Sequence, residues 1–261
     1  MASLVEDNKN LPIFHDAFLK ADWAEHCTKS LSNSFDWYTK NGMRMTVKAR
    51  SVGSRNREVI METAPLIPLG LEVGDIIRNL RGALDAAVSA VYRAHGKKEN
   101  DAYWPIAGFK HDLEANIDRH LRRAGFEDLC KFFLTEMECT KSGNFALWKM
   151  HEIDRANKHR SISVVVVWAV MSDPSYFLPD SIIYFNNKTF LHPGTTRSLF
   201  IPVDAVTEGF ESPQPTLSVT FGPSEVFSGE FVIPKLNDLH KEVTDALLKF
   251  QSAYVAAYHT T

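Results

Sequence analysis

The feature that most constrains the fold is an abrupt change in the character of the chain near residue 160. Residues 148–160, WKMHEIDRANKHR, are mostly polar and rich in cations, whereas residues 161–170, SISVVVVWAV, form the most apolar run of the sequence. Before this point apolar residues recur at helical spacing. After it, short β-branched and aromatic runs alternate with turns rich in Asn, Pro and Gly. The sequence therefore predicts a helical part followed by a β-rich part.

Apolar stripes and capping residues predict the individual elements. Gly96 is placed to end one helix, and Asn144 is placed to cap the start of another. An alternating pattern over residues 43–50 and 58–62 predicts a hairpin with one wet face. Helices are expected near residues 13–40, 71–95, 111–139, 144–159 and 235–257.

Together these elements predict an α+β protein, in which a helical bundle has an antiparallel β-sheet or small sandwich inserted before the C-terminal helix. The bundle, with its N-terminal hairpin, would occupy residues 1–160. The β-rich region would follow over residues 161–233. The final helix, within residues 234–261, would pack back on the bundle and make one compact unit.

Composition excludes several classes of protein. The chain has 261 residues, 44% of them hydrophobic, and a net charge of −3, which argues against a general nucleic-acid coat protein but leaves room for a local basic pocket. No run is long and apolar enough for a membrane helix. The N-terminus lacks the cationic start and apolar core of a secretory signal, so we expect a cytoplasmic protein that does not contact a membrane.

Common catalytic and cofactor motifs are missing from the sequence. The three cysteines form no C-x-x-C pair, and no H-E-x-x-H occurs. The glycine patterns of dinucleotide-binding folds, P-loops and hydrolase elbows do not occur either. We therefore expect reduced thiols, no metal and no cofactor, and the residues leave catalysis undecided.

Charged residues on two segments predict a binding site. On the helix near 71–95 a polar stripe lies beside the apolar face, and the segment 148–160 carries a second cluster. Guanidinium and ammonium groups match phosphate or carboxylate anions, so two facing helices could hold such a ligand, with acidic residues orienting it. The alternative is an ion-pair network that only fixes helix register. The candidate ligand-binding residues are Arg78, Arg81, Asp85, Asp154, Arg155, Lys158, His159 and Arg160.

The same two segments resemble a widespread family of uncharacterised bacterial and phage proteins. That family has a helix with an N-L-R-x-A-L-D core, then a Phe-Pro-Ile segment, and later a D-x-x-[DN]-K-H-R motif before a β region and a last helix. The matching residues here are Gly74, Ile76, Asn79-Leu80-Arg81, Ala83-Leu84-Asp85, Trp104-Pro105-Ile106, Asp154, Asn157 and Lys158-His159-Arg160. The resemblance implies the same order of elements and a site on these motifs, but no activity.

Three functional hypotheses follow. The leading one is a non-catalytic binding protein that holds an anionic, phosphate-bearing ligand, a nucleotide or RNA, between the two helices. The helical half also resembles HEPN domains, which implies a metal-independent endoribonuclease with His159 as general acid or base and Arg155 stabilising the phosphate. Three residues separate Arg155 from His159, which is fewer than the HEPN motif requires. The third hypothesis is a structural or interaction protein, and a homo-oligomer is possible under each.

Overall fold

The computed structural model describes residues 12–41, 43–49, 56–63, 67–158, 162, 164–169, 189–191, 197–202, 216–222 and 225–258. The chain divides into two compact units. The first comprises Met1–Ser30, Leu71–Ile162 and Ile233–Thr261, and the second comprises Leu31–Gly70 and Ser163–Val232.

Helices make up most of the described chain. A 3-10 turn, Pro12–Phe14, leads into α1, and another, Glu99–Asp101, follows α2. Two helices continue into π-helical turns, α3 over Asp118–Arg122 and α4 over Phe133–Met137. The helices are α1 (His15–Asn41), α2 (Ile67–Ala94), α3 (Lys110–Ile117), α4 (Glu127–Phe132), α5 (Phe145–Asn157) and α6 (Val232–Tyr258).

The described strands are short and belong to the second unit. They are β1 (Met43–Ala49), β2 (Asn56–Thr63), β3 (Val164–Ala169), β4 (Thr189–Leu191), β5 (Arg197–Pro202) and β6 (Thr216–Phe221). All of their pairings are antiparallel, in the orders β1-β2-β5 and β4-β3-β6. In the first order, Met43 lies opposite Thr63 and Asn56 lies opposite Pro202.

The predicted α+β class is wrong, because the protein is mostly helical. Its three long helices have 27, 28 and 27 residues, whereas no described strand after residue 161 exceeds six. The described strands also do not make one sheet inserted over residues 161–233, since β5 pairs with the hairpin strand β2. A local apolar pattern identifies a strand but cannot identify its partner.

The position and end of α2 follow from its sequence. Its inward face is a stripe of fully buried residues that includes Ile77, Leu80 and Leu84. The helix ends in a Schellman motif, in which the N–H of Lys97 donates to the carbonyl of Tyr92 at 2.8 Å. Gly96, with φ +64°, takes the left-handed position that this motif requires.

The segment after α2 is anchored in the first unit by Trp104. The side chain is fully buried, and its ring centroid lies 5.0 Å from that of Phe133 and 5.1 Å from that of Phe250 on α6. Its indole N–H donates to Cys139 Sγ at 3.4 Å. Because an aromatic anchor of this size cannot move without opening the core, the backbone of residue 104 is held in place.

Helix α5 begins where the sequence predicts. The side chain of Asn144 accepts a hydrogen bond from the backbone N–H of Leu147 at 3.1 Å, so Asn144 is confirmed as the N-cap. The inward face of α5 is formed by the buried Leu147, Met150 and Ile153. This fixes which side of the helix carries the polar residues of segment 148–160.

Candidate functional site

Arg81 and Asp85 form the charged centre of α2. They stand four residues apart, and Nη1 of Arg81 donates to Oδ1 of Asp85 at 2.6 Å. The same carboxylate oxygen accepts the backbone N–H of Trp104 at 2.8 Å. Nη2 of Arg81 closes the ring by donating to the carbonyl oxygen of Trp104 at 3.0 Å. We call Arg81, Asp85 and the backbone of Trp104 the Arg81 brace.

The Arg81 brace is partly closed to solvent. Arg81 is 7% exposed, whereas the side chain of Asp85 is 36% exposed. Burial raises the pKa of the Asp85 carboxyl above its ordinary value, against the lowering effects of the Arg81 charge and the Trp104 N–H, and the negative charge of Asp154 adds to the rise. A buried guanidinium requires hydrogen-bond partners, and each of the three nitrogens of Arg81 donates one hydrogen bond to a described residue.

His151 on α5 contacts the third guanidinium nitrogen of Arg81. Nε of Arg81 donates to Nδ1 of His151 at 3.4 Å. Burial, followed by the positive charges of Arg81, Arg155 and Lys158, lowers the pKa of His151 to about 4. The ring is therefore neutral near pH 7, and its proton lies on Nε2 because Nδ1 accepts a hydrogen bond.

A second contact between α2 and α5 involves Gly74. A Cβ atom at this position would lie 2.7 Å from Oδ1 and 2.8 Å from Cγ of Asn157, closer than real Cβ atoms approach such groups. Glycine is therefore what allows the helices to meet here. Since Gly74 meets Asn157 and Arg81 meets His151, the helices run antiparallel. We call the line between these two contacts the α2–α5 seam.

Asp154 lies on α5 midway along the seam. Its side chain is 5% exposed, and Oδ2 lies 3.7 Å from Nζ of Lys158, whose side chain is 59% exposed. Among the residues that the structure describes, the buried Oδ1 of Asp154 has no hydrogen-bond partner. A buried carboxylate oxygen without a donor is costly, so this atom requires an explanation.

The remaining predicted site residues divide by exposure. Arg78 is exposed and forms no ion pair with a described residue. Arg155 is exposed and pairs with Glu152 at 2.8 Å, a contact within α5. Arg81 and Asp85 are brought together in the brace, and Asp154 with Lys158. His159 and Arg160 lie outside the described residues.

The backbone of Trp104 is the part of the site that sequence reasoning missed. Its N–H and carbonyl take two of the hydrogen bonds made by the predicted pair Arg81 and Asp85. Backbone donors and acceptors exist at every residue, so composition and spacing give no signal for them. The one available signal in the sequence was the Trp104-Pro105-Ile106 segment that follows residues 79–85.

Searches for a metal site and for known relatives give negative results. Within the described ranges, no group of three or more His, Cys, Asp or Glu side chains could hold a metal ion. None of the helices described is both long and apolar enough to cross a membrane. The chain matches no family model, no curated protein and no solved structure. The family resemblance drawn from the motifs therefore stays a prediction.

Proposed function

We propose that this protein is a non-catalytic binding protein that holds an anionic, phosphate-bearing ligand, a nucleotide or an RNA segment, beside the α2–α5 seam. The contact surface is the cationic edge, which we define as Arg78, Arg155 and Lys158. The observation that carries the proposal is the exposure of these cations beside one seam, with Arg78 unpaired among the described residues. The exposed, unpaired guanidinium of Arg78 is free to bind phosphate oxygens, and the exposed side chains of Arg155 and Lys158 stay accessible to the same ligand although each makes one ion pair within α5.

Helix geometry supports a common edge. Arg78 is one helical turn from Gly74, and Lys158 directly follows Asn157, the residue that Gly74 contacts. Lys158 therefore lies at the Gly74 end of the seam, and Arg78 lies about midway along it, level with Asp154. Asp154 carries an oxygen without a described donor, and a hydrogen bond from a base or sugar group of the ligand would offset that cost.

In this proposal the predicted site residues have two roles. Arg81 and Asp85 are occupied by the backbone of Trp104, so they position the seam and do not touch the ligand. The cationic edge makes the ligand contacts. The ligand class is the one predicted from the sequence, but fewer of the predicted residues contact the ligand.

One observation favours the structural alternative, in which the charged residues only brace the fold. All three guanidinium nitrogens of Arg81 donate hydrogen bonds to other residues of the fold. In that alternative the exposed cations of α5 only complement the negative C-terminal end of the helix dipole. The ribonuclease alternative rests on His159, which lies outside the described residues. The described His151 has a pKa of about 4 and is a poor general acid near neutral pH.

The proposal is tested by binding of fluorescently labelled ATP and of a labelled RNA oligonucleotide in EDTA. The double charge reversal Arg78→Glu with Lys158→Glu should weaken binding by about tenfold or more, since two charge-assisted contacts become repulsive. The matched control reverses two exposed arginines that follow α3, one in its π-helical turn and one just after that turn, Arg119→Glu with Arg123→Glu. The control should stay within about twofold of the wild type.

Two results would overturn the proposal. Absence of saturable binding of both probes by the wild type would leave the structural alternative. Equal loss of affinity in the two double variants would show only a general charge effect. RNA cleavage in EDTA that disappears in His159→Ala would replace the binding protein by the ribonuclease.

A further inference from the structure

A pocket of about 480 Å³, open to solvent, lies between α1 and α2 and has Asp85 in its lining. Its volume lies in the range of small-molecule sites, roughly 300–1,000 Å³. Lys20 and Leu19 come from α1, whereas Gly82, Asp85 and Ala86 come from α2. A Cβ atom on Gly82 would lie 3.8 Å from Nζ and 3.9 Å from Cδ of Lys20, so it fits without a clash and the side chain of Lys20 lies beside Gly82.

The charges at the rim of the pocket are matched to each other. Arg93 lies 3.7 Å from Asp16 and 3.3 Å from Glu99, which makes a three-residue ion-pair group on the surface. Lys20 makes no ion pair with any residue that the structure describes. The rim group therefore leaves the exposed ammonium group of Lys20, which also lines the pocket, without an ion-pair partner among the described residues.

Asp85 supplies an acceptor to the same pocket. Its Oδ1 accepts both hydrogen bonds of the Arg81 brace, and within the described part of the chain Oδ2 accepts none. No ion pair joins Asp85 to Lys20 across the pocket, although both line it. The pocket thus presents a carboxylate oxygen and a separate ammonium group, each with unused hydrogen-bonding capacity.

We propose that the α1–α2 pocket binds a small zwitterion of the amino-acid class with an aliphatic side chain. The amino group of the ligand donates to Oδ2 of Asp85, and its carboxylate accepts from Nζ of Lys20. Leu19, which is 51% exposed, and Ala86 provide the apolar contact for the side chain. This site is separate from the cationic edge and does not depend on the function proposed there.

Calorimetric titration of the full chain with L-leucine tests the ligand class. Two analogues serve as probes of the charges, 3-methylbutylamine, which lacks the carboxylate, and 4-methylpentanoate, which lacks the amine. Each should bind about tenfold more weakly than leucine, since each loses one charge-assisted hydrogen bond. No saturable binding of leucine below about 10 mM, or equal binding of either analogue, would overturn the proposal.

Variants of the pocket locate the binding. Gly82→Leu should abolish leucine binding by filling the pocket, and its thermal midpoint should not fall, because leucine is the better helix former. Lys20→Met should weaken leucine to the level of the amine, whereas Lys29→Met, on the same helix and outside the pocket lining, should not. Retained binding in Gly82→Leu, or an equal loss in Lys29→Met, would contradict the site. The double charge reversal of the cationic edge should leave leucine binding unchanged.

Discussion

Replacing Arg81 by Met removes the side chain on which the packing of the Trp104 segment against α2 depends. Methionine keeps the length and helix propensity of the arginine but has no donors. The carbonyl of Trp104, Oδ1 of Asp85 and Nδ1 of His151 would each lose a hydrogen bond. The variant therefore tests whether Arg81 is structural.

The expected loss follows from the burial of these groups. A buried carbonyl left without a donor costs about 1–3 kcal/mol. Breaking a fully buried ion pair costs about 3–5 kcal/mol. The Asp85 side chain is 36% exposed, so water can replace part of its interaction with Arg81, and we expect loss of this pair to cost about 1–2 kcal/mol. We expect Arg81→Met to lower the free energy of unfolding by about 3 kcal/mol.

The assay is urea denaturation followed by tryptophan fluorescence, to which the buried Trp104 and the other four tryptophans contribute. The matched control is Arg93→Met on the same helix, because Arg93 pairs only at the surface, with a side chain 49% exposed. That control should lose less than about 1 kcal/mol. If Arg81→Met is no more destabilising than the control, the brace does not stabilise the fold.

Further predictions concern the seam, His151 and the cysteines. Gly74→Ala should lower the free energy of unfolding by about 1–2 kcal/mol through its clash with Asn157. Gly82→Ala meets no clash and should raise the free energy of unfolding by about 0.5–1 kcal/mol. If urea denaturation shows that both variants are stabilised, the close contact at Gly74 is contradicted. The pKa of His151 is lowered from 6.5 to about 4, so between these pH values the unfolded chain binds a proton that the folded chain does not. The free energy of unfolding should therefore fall as the pH drops from 6.5 to 4. His151→Gln should flatten this pH dependence. Burial raises the pKa of the buried thiols of Cys130 and Cys139 to about 11. With a thiol reagent near pH 8, the more accessible Cys27 should react first, and Cys130 and Cys139 should react only on unfolding. Simultaneous reaction of all three cysteines would refute this.

The helices could be predicted from sequence because their signals are local. Asn144 and Gly96 act through hydrogen bonds to residues within one turn, and both stand where the sequence places them. The arrangement of the strands could not be predicted. Strand β2 (Asn56–Thr63) pairs with β5 (Arg197–Pro202) across more than a hundred residues, and alternation within each strand carries no information about the other.

The charged site shows the same distinction between local and distant signals. The spacing of Arg81 and Asp85 predicts that they share a helix face, and they do form a pair. Their third partner is the backbone of Trp104, which no side-chain pattern reveals. Spacing along one helix gives no information about contacts with another helix, and in the described structure Asp85 pairs within α2 and Asp154 pairs within α5.

The most direct test of the account is the dissociation constant for fluorescently labelled ATP in EDTA, measured on the wild type, on Arg81→Lys and on the Arg78→Glu, Lys158→Glu double variant. Arg81→Lys keeps the charge but loses the guanidinium fork, so it should be less stable yet bind within about threefold of the wild type. The double variant should lose about 1–3 kcal/mol of stability, because Lys158→Glu removes the ion pair of the buried Asp154, but it should remain folded and bind about tenfold more weakly or worse. The opposite pattern, with affinity lost in folded Arg81→Lys and retained in the double variant, would contradict the division between a bracing arginine and a ligand-binding edge.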